Sequence, residues 1–184
     1  MKFCSNCGSQ IARRIPEGDS RERAVCDDCD TIHYQNPRVI TGCLVTCDDR
    51  VLLCKRSINP RSGMWTLPAG FLENGETAQE GAARETWEEA CARVEIEDLY
   101  TVFSLPHISQ IYMFYRAKIP DGKFAAGQET EEAALFSQSA IPWSDLAFPV
   151  ISKTLELYFY DRNNDTFPVH THDIIIDKGQ RGLP

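Results

Sequence analysis

The sequence predicts an α/β protein, with helices layered on a mixed sheet and a small cysteine-bearing appendage at its N-terminus. Three observations carry this. Strand-like runs recur between turn signals from Val39 to Ser137, two segments starting near Thr77 and at Pro149 read as helices, and two Cys-x-x-Cys pairs precede the first long strand. With 184 residues, 42% hydrophobic and 10% aromatic, the chain has material for one ordinary core and a minor second unit. The expected organisation is 1–36 for the appendage, 37–165 for the body and 166–184 for a tail that adds an edge strand.

Charge and apolar patterning exclude some classes of partner. A net charge of −8 argues against tight non-specific binding to nucleic acid or acidic membranes. No apolar run reaches the length of a membrane span, and the start MKFCSNCGSQ carries no apolar signal core. The expected location is cytoplasmic, where structural disulfides are not expected.

Cys4-x-x-Cys7, an 18-residue gap and Cys26-x-x-Cys29 have the ligand spacing of a tetrahedral Zn²⁺ site. Pro16-Glu17-Gly18-Asp19 suits a hairpin turn between the knuckles. Four cysteines close the site, so its expected role is structural; His33 is a supplementary candidate. Such a segment resembles a zinc ribbon. Residues 1–38 carry six basic and six acidic side chains, which is not a nucleic-acid footprint.

Asn36-Pro37 reads as the joint to the body. Val39–Thr46 and Val51–Lys55 are predicted strands joined by a hairpin at Asp48-Asp49-Arg50, and Cys43 and Cys47 share strand parity as small core thiols. Residues 57–65 read as a loop, followed by a short strand at Trp65-Thr66-Leu67. Beyond the first helix, Val94–Ser104 and Gln110–Ile119 are predicted strands. The second is apolar on both faces, as in a strand covered on both sides. A short strand at Ala133–Ser137, a turn over Ile141–Leu146 and a helix from Pro149 to about Tyr160 follow, with Leu155, Tyr158 and Phe159 as its apolar stripe. Val169–Ile176 alternates weakly, and His170 and His172 read as surface residues.

The first helix carries the chemistry. Thr77 and Glu80 form a capping-box pair. At roughly 100° per residue, Glu85, Glu88 and Glu89 share one sector. Ala83, Trp87, Ala90 and Val94 fall opposite and are expected to face the sheet, while Gly81 is expected to leave room for a ligand beside Glu85. Three crowded carboxylates call for a hard divalent cation; the alternative reading is a solvated acidic face.

The frame around that helix separates the two readings. Gly70, five residues, Glu76, seven residues, Arg84-Glu85, two residues and Glu88-Glu89 match the Nudix box. The chain therefore resembles the Nudix hydrolases, with Cys91 where the family has a glycine. The resemblance implies an α/β/α sandwich and Mg²⁺- or Mn²⁺-assisted hydrolysis at phosphorus. It implies Glu85, Glu88 and Glu89 as metal ligands and Arg84 as their brace, ion-paired to Glu76 or Glu88. Gly70, Glu76 and Glu129 would serve the substrate side. Glu129 is the first candidate for a further metal ligand from beyond the box and Glu132 the second; a box glutamate or a distal acid would orient or deprotonate the water.

Ribbon and box together resemble the plant FAD pyrophosphatases and the NADH pyrophosphatases. Ser104-Leu105-Pro106-His107-Ile108-Ser109 departs from the Ser-Gln-Pro-Trp-Pro-Phe-Pro signature of the NADH group. YQNPRVITGCL, VLLCKRSINPRSGMWTLPAGFLENGE and RETWEEA are similar to the FAD group. The implied substrate is an FAD- or ADP-ribose-type compound, favoured over NADH and cleaved to two monophosphates, with Phe71, Phe103 and Tyr112 as ring-stacking or core residues. The resemblance also suggests a homodimer. The competing reading is a zinc-ribbon protein that binds or decaps RNA through its Nudix domain.

Overall fold

The structure is a computed structural model that describes residues 1–175; the end of the tail, Ile176 included, lies outside the described residues. Its contacts separate two compact units, the first spanning Met1–Asn36 and the second beginning at Pro37.

In the first unit, β1 (Ile11–Arg14), β2 (Arg23–Cys26) and β3 (Ile32–His33) form an antiparallel sheet in the order β1-β2-β3. The β1–β2 connection turns at Pro16–Asp19, where the Asp19 amide donates to the Pro16 carbonyl at 3.1 Å and Gly18 takes a φ of +78°. Little is buried in this unit beyond Cys4, Pro16, Val25 and Cys26.

The second unit is built on β4 (Arg38–Cys47), β5 (Arg50–Arg56), β8 (Glu95–Leu105), β9 (Gln110–Lys118), β10 (Thr130–Phe136) and β11 (His170–Asp173). Their order is β10-β5-β4-β9-β8-β11, with the short β6 (Trp65–Thr66) on β5 and β7 (Ala69–Phe71) on β4. β4 and β9 run parallel, as do β8 and β11, so the sheet is mixed. Two helices cover it, α1 (Ala78–Ala90) and α2 (Pro149–Asn164). Pro149 starts α2, where its missing N–H costs nothing. The Ile141–Leu146 segment contains a single 3₁₀ turn at Trp143–Asp145.

Alternation along the central strands generates the layers. Leu44, Val51, Leu53, Phe103 and Phe114 face α2 and meet Val150, Ile151, Leu155, Tyr158 and Phe159. Cys43, Val45, Leu52, Cys54, Tyr115 and Ala117 face the other way and meet Ala82 and Ala90 of α1. The fold is the α/β/α sandwich that the two-sided pattern of β9 implies.

Three sequence expectations are corrected. The buried side of α1 is Gly81, Ala82, Thr86, Glu89 and Ala90; of the expected Ala83–Trp87–Ala90–Val94 sector only Ala90 belongs to it. Trp87 remains 49% exposed beneath the Arg93 guanidinium, and Val94 lies beyond the helix. Gly81 leaves no room for a ligand: an added Cβ would come within 2.8 Å of Glu76 Oε1 and Thr41 Cγ2. The space belongs to the protein's own packing. Finally, His170 is not a surface residue. Its Nε2 lies 2.6 Å from Oδ2 of the buried Asp161, which also accepts from the Tyr100 hydroxyl at 2.8 Å.

Candidate active site

The site starts at a capped helix. The Glu80 amide donates to the Thr77 hydroxyl at 3.2 Å and the Thr77 amide donates to the Glu80 carboxylate at 2.7 Å, so α1 begins at a defined residue. At its other end Cys91 takes the left-handed conformation (φ 46°, ψ 28°) and its N–H donates to the Trp87 carbonyl at 2.9 Å. A glycine enters that region freely; a cysteine there costs on the order of 1 kcal/mol, and the helix end keeps its geometry.

Arg84 organises the carboxylates. Its Nε and Nη2 donate to the two oxygens of Glu76 at 3.0 and 2.8 Å, and Nη2 also donates to the Phe71 carbonyl at 3.0 Å. Its Nη1 donates to Glu85 at 2.8 Å and to Glu88 at 3.0 Å. The fork holds Glu76 far below the usual carboxylate range, at about 2. Glu85 is drawn up from its ordinary value, chiefly by burial. Its carboxylate occupies the space a side chain at Gly70 would fill, so only glycine at that point of β7 admits Glu85.

Glu89 is 8% exposed, and burial pushes its carboxyl up to about 8 even though Oε2 accepts the Ala69 amide at 3.2 Å. The charge of Glu129 disfavours ionisation of both Glu85 and Glu89, so it stands within electrostatic reach of them. Glu129, Glu85, Glu88 and Glu89 line one cleft of about 1470 Å³. Glu132 is not part of that lining: it lies on β10, opposite Lys55 and exposed. Adjacent carboxylates, one of them almost buried, are the donor type that suits a hard divalent cation.

The cleft also holds residues that sequence reasoning missed. Arg56 lies over the Phe148 ring at 5.4 Å. His107 reaches the cleft from the turn between β8 and β9, with Nδ1 buried and without a hydrogen-bond partner. Tyr112 lines the wall, whereas Phe103 is fully buried in the core. No sequence signal marked Arg56 or His107, because pairing across strands brings them in.

In the first unit the sulfurs of Cys4, Cys7, Cys26 and Cys29 lie within 4.8 Å of one another. Tetrahedral Zn–S bonds of about 2.3 Å would set sulfurs roughly 3.8 Å apart; the Cys4–Cys29 and Cys7–Cys26 separations are 3.6 and 3.4 Å. The Thr31 hydroxyl draws Cys29 down to about 6, and Ser9 lowers Cys7, while burial drives Cys26 up to about 12. Four sulfurs gathered this closely fit a closed tetrahedral zinc site. His33 Nε2 lies 3.3 Å from the Cys4 sulfur, beside a set already complete.

Fold and site together define a Nudix protein. The NUDIX domain family matches residues 36–158 and the Nudix N-terminal zinc-ribbon family matches residues 2–35, so the chain belongs to the Nudix hydrolases. It resembles a crystal structure of a NUDIX hydrolase from Nitrosomonas europaea at 55% identity and a TM-score of 0.92, covering 95% of this chain and 99% of that one. The ADP-ribose pyrophosphatase of Methanocaldococcus jannaschii is 32% identical over 59% of this chain and 67% of its own length. The NAD-capped RNA hydrolase NudC of Chromobacterium violaceum is 32% identical over 89% of this chain; the match spans only 60% of that relative. No described helix is long and apolar enough to cross a membrane.

Proposed function

We propose that the protein hydrolyses the phosphoanhydride bond of an adenosine-diphosphate-linked compound of the ADP-ribose, NAD or FAD type, releasing two monophosphates. The observation that carries the reading is the Arg84-braced carboxylate cluster in a cleft with room for a dinucleotide. Glu85, Glu88, Glu89 and Glu129 are assigned as the residues that hold magnesium or manganese. Such a cation offsets phosphate charge and acidifies water.

The chain's own groups do the rest. Arg84 orients Glu85 and Glu88, Glu76 keeps Arg84 in place, and the Ala69 amide holds Glu89. A carboxylate of the cluster takes the proton of the attacking water as the new P–O bond forms and the bridging P–O bond breaks. The aromatic wall of Phe71 and Tyr112 suits a base or flavin ring. The four cysteines hold zinc in a structural role. Similarity to an ADP-ribose pyrophosphatase and to NudC supports the adenosine diphosphate class, and the quoted sequence segments add FAD to it. A second reading, removal of a nucleotide cap from RNA, is favoured by the NudC relatives and uses the same bond chemistry.

Incubation with ADP-ribose, NADH, FAD and CoA under Mg²⁺ or Mn²⁺, with chromatography of the products, tests the proposal. AMP and a second monophosphate from at least one compound are expected; no cleavage of any compound with either metal would overturn it.

A further inference from the structure

Glu129 reaches the cleft from the long connection between β9 and β10, where a carboxylate is poorly placed unless its backbone is held. The structure holds it at three points. The Gly127 amide donates to the Glu89 carbonyl at 3.0 Å, the Thr130 amide donates to the Gly127 carbonyl at 3.3 Å, and the Ser57 amide donates to the Glu129 carbonyl at 2.9 Å. Residues 127–130 are therefore a turn closed on itself, tied to the end of α1 on one side and to the end of β5 on the other. The Ala125 amide adds a bond to the Ala90 carbonyl at 2.8 Å. Glu89 and Ala90 are the last residues of α1, whose final carbonyls have no partner inside the helix. The loop thus supplies the donors that the helix end lacks.

This seating depends on a missing side chain. A Cβ at Gly127 would overlap the Glu88 carbonyl oxygen and stand 2.8 Å from the Glu88 carbonyl carbon and 3.0 Å from that of Glu89. The obstacle is backbone, which cannot swing aside. Gly127 has no left-handed φ, so alanine suits its conformation and only the close approach excludes it.

We infer that Gly127 is a positioning residue: its bare backbone seats the 127–130 turn on the last turn of α1 and thereby fixes Glu129 beside Glu85, Glu88 and Glu89. The inference rests on the proposed role of Glu129 as a fourth cation-holding carboxylate. The register shift in the β5–β10 ladder between Thr130 and Glu132 supports it, because the bulge lets the chain leave the strand at Glu129.

Mn²⁺ binding to the full chain without substrate, read by electron paramagnetic resonance, tests the inference alongside kcat and KM. Gly127→Ala should weaken Mn²⁺ binding and lower kcat by about 10- to 100-fold, the range for groups that support metal ligands, with KM changing by less than about threefold. Glu129→Gln should do the same. In the Glu129→Gln background, Gly127→Ala should cost less than about twofold more, because both act through one carboxylate. Multiplying losses, or wild-type Mn²⁺ affinity in Gly127→Ala beside a weakened Glu129→Gln, would overturn the inference while sparing the role of Glu129. Wild-type affinity in Glu129→Gln would overturn both. Amide exchange in the metal-free wild type covers the case in which Gly127→Ala does not fold. Ala125 and Gly127 should be protected like the last turn of α1, and exchange at exposed-loop rates would overturn the inference.

Discussion

The two units face the same problem, ordering a chain, and solve it by different means. Residues 1–36 bury few side chains, two of them the thiols of Cys4 and Cys26, and gather four sulfurs within 4.8 Å. A unit of that size seldom supports itself by apolar burial. The body holds two apolar layers, one under each helix, and carries its carboxylates on the end of a helix already packed. On the proposed reading a cation would belong to the fold in the first unit and to the chemistry in the second.

The largest effect that could break this contrast is removal of the ribbon's metal. Structural zinc contributes an apparent ~10–16 kcal/mol in small zinc domains. A strong chelator, or Cys26→Ser, should abolish amide-exchange protection in 1–36 while the 37–175 region keeps its own; matching loss in both would show one cooperative unit. Next is Leu155→Ala, which empties a fully buried position on the core side of α2 and should cost about 2–5 kcal/mol in denaturant unfolding without releasing zinc. Third is Arg84→Lys. It keeps the charge but loses the fork to Glu76, so turnover should fall about 10- to 100-fold with little change in melting temperature.

The smallest effect is a pH dependence. Glu76 is held near 2 against an ordinary value of 4.5, with the Arg84 bond as the main cause. A depressed carboxyl stabilises the fold fully above its unfolded value and loses that contribution as pH falls through the folded one. The melting temperature of Glu76→Gln should thus lie below wild type at pH 7. The gap should narrow from about pH 4.5 and vanish near pH 2.

Much of the architecture was legible from period and punctuation. β9 read as apolar on both faces and is covered on both; Thr77 read as a cap and is one; Pro149 opens α2. The orientation of α1 was not legible, because residue type is a poor guide to burial where small side chains meet a sheet. Ala82 and Thr86 fit against β4 and its neighbours, Glu89 is drawn in with them, and the bulky Trp87 is left out. The reading of Gly81 failed similarly: a glycine's purpose depends on what lies across from it, here Thr41 and Glu76. The parts of the site that no spacing revealed, Gly127, Arg56 and His107, arrive from separate strands and loops. His170 misled because a parallel edge strand places it over Asp161, a partner nine positions earlier in sequence but on a different element.

The central claim is that a carboxylate which burial keeps partly protonated becomes useful once a cation arrives. Cleavage of ADP-ribose, or of whichever compound the substrate screen identifies, should be compared for wild type and Glu89→Gln at saturating Mg²⁺, with melting temperature measured on metal-free samples of both. The account predicts that AMP release falls by about three orders of magnitude while the metal-free variant melts at or above the wild-type temperature. AMP release at the wild-type rate would contradict it.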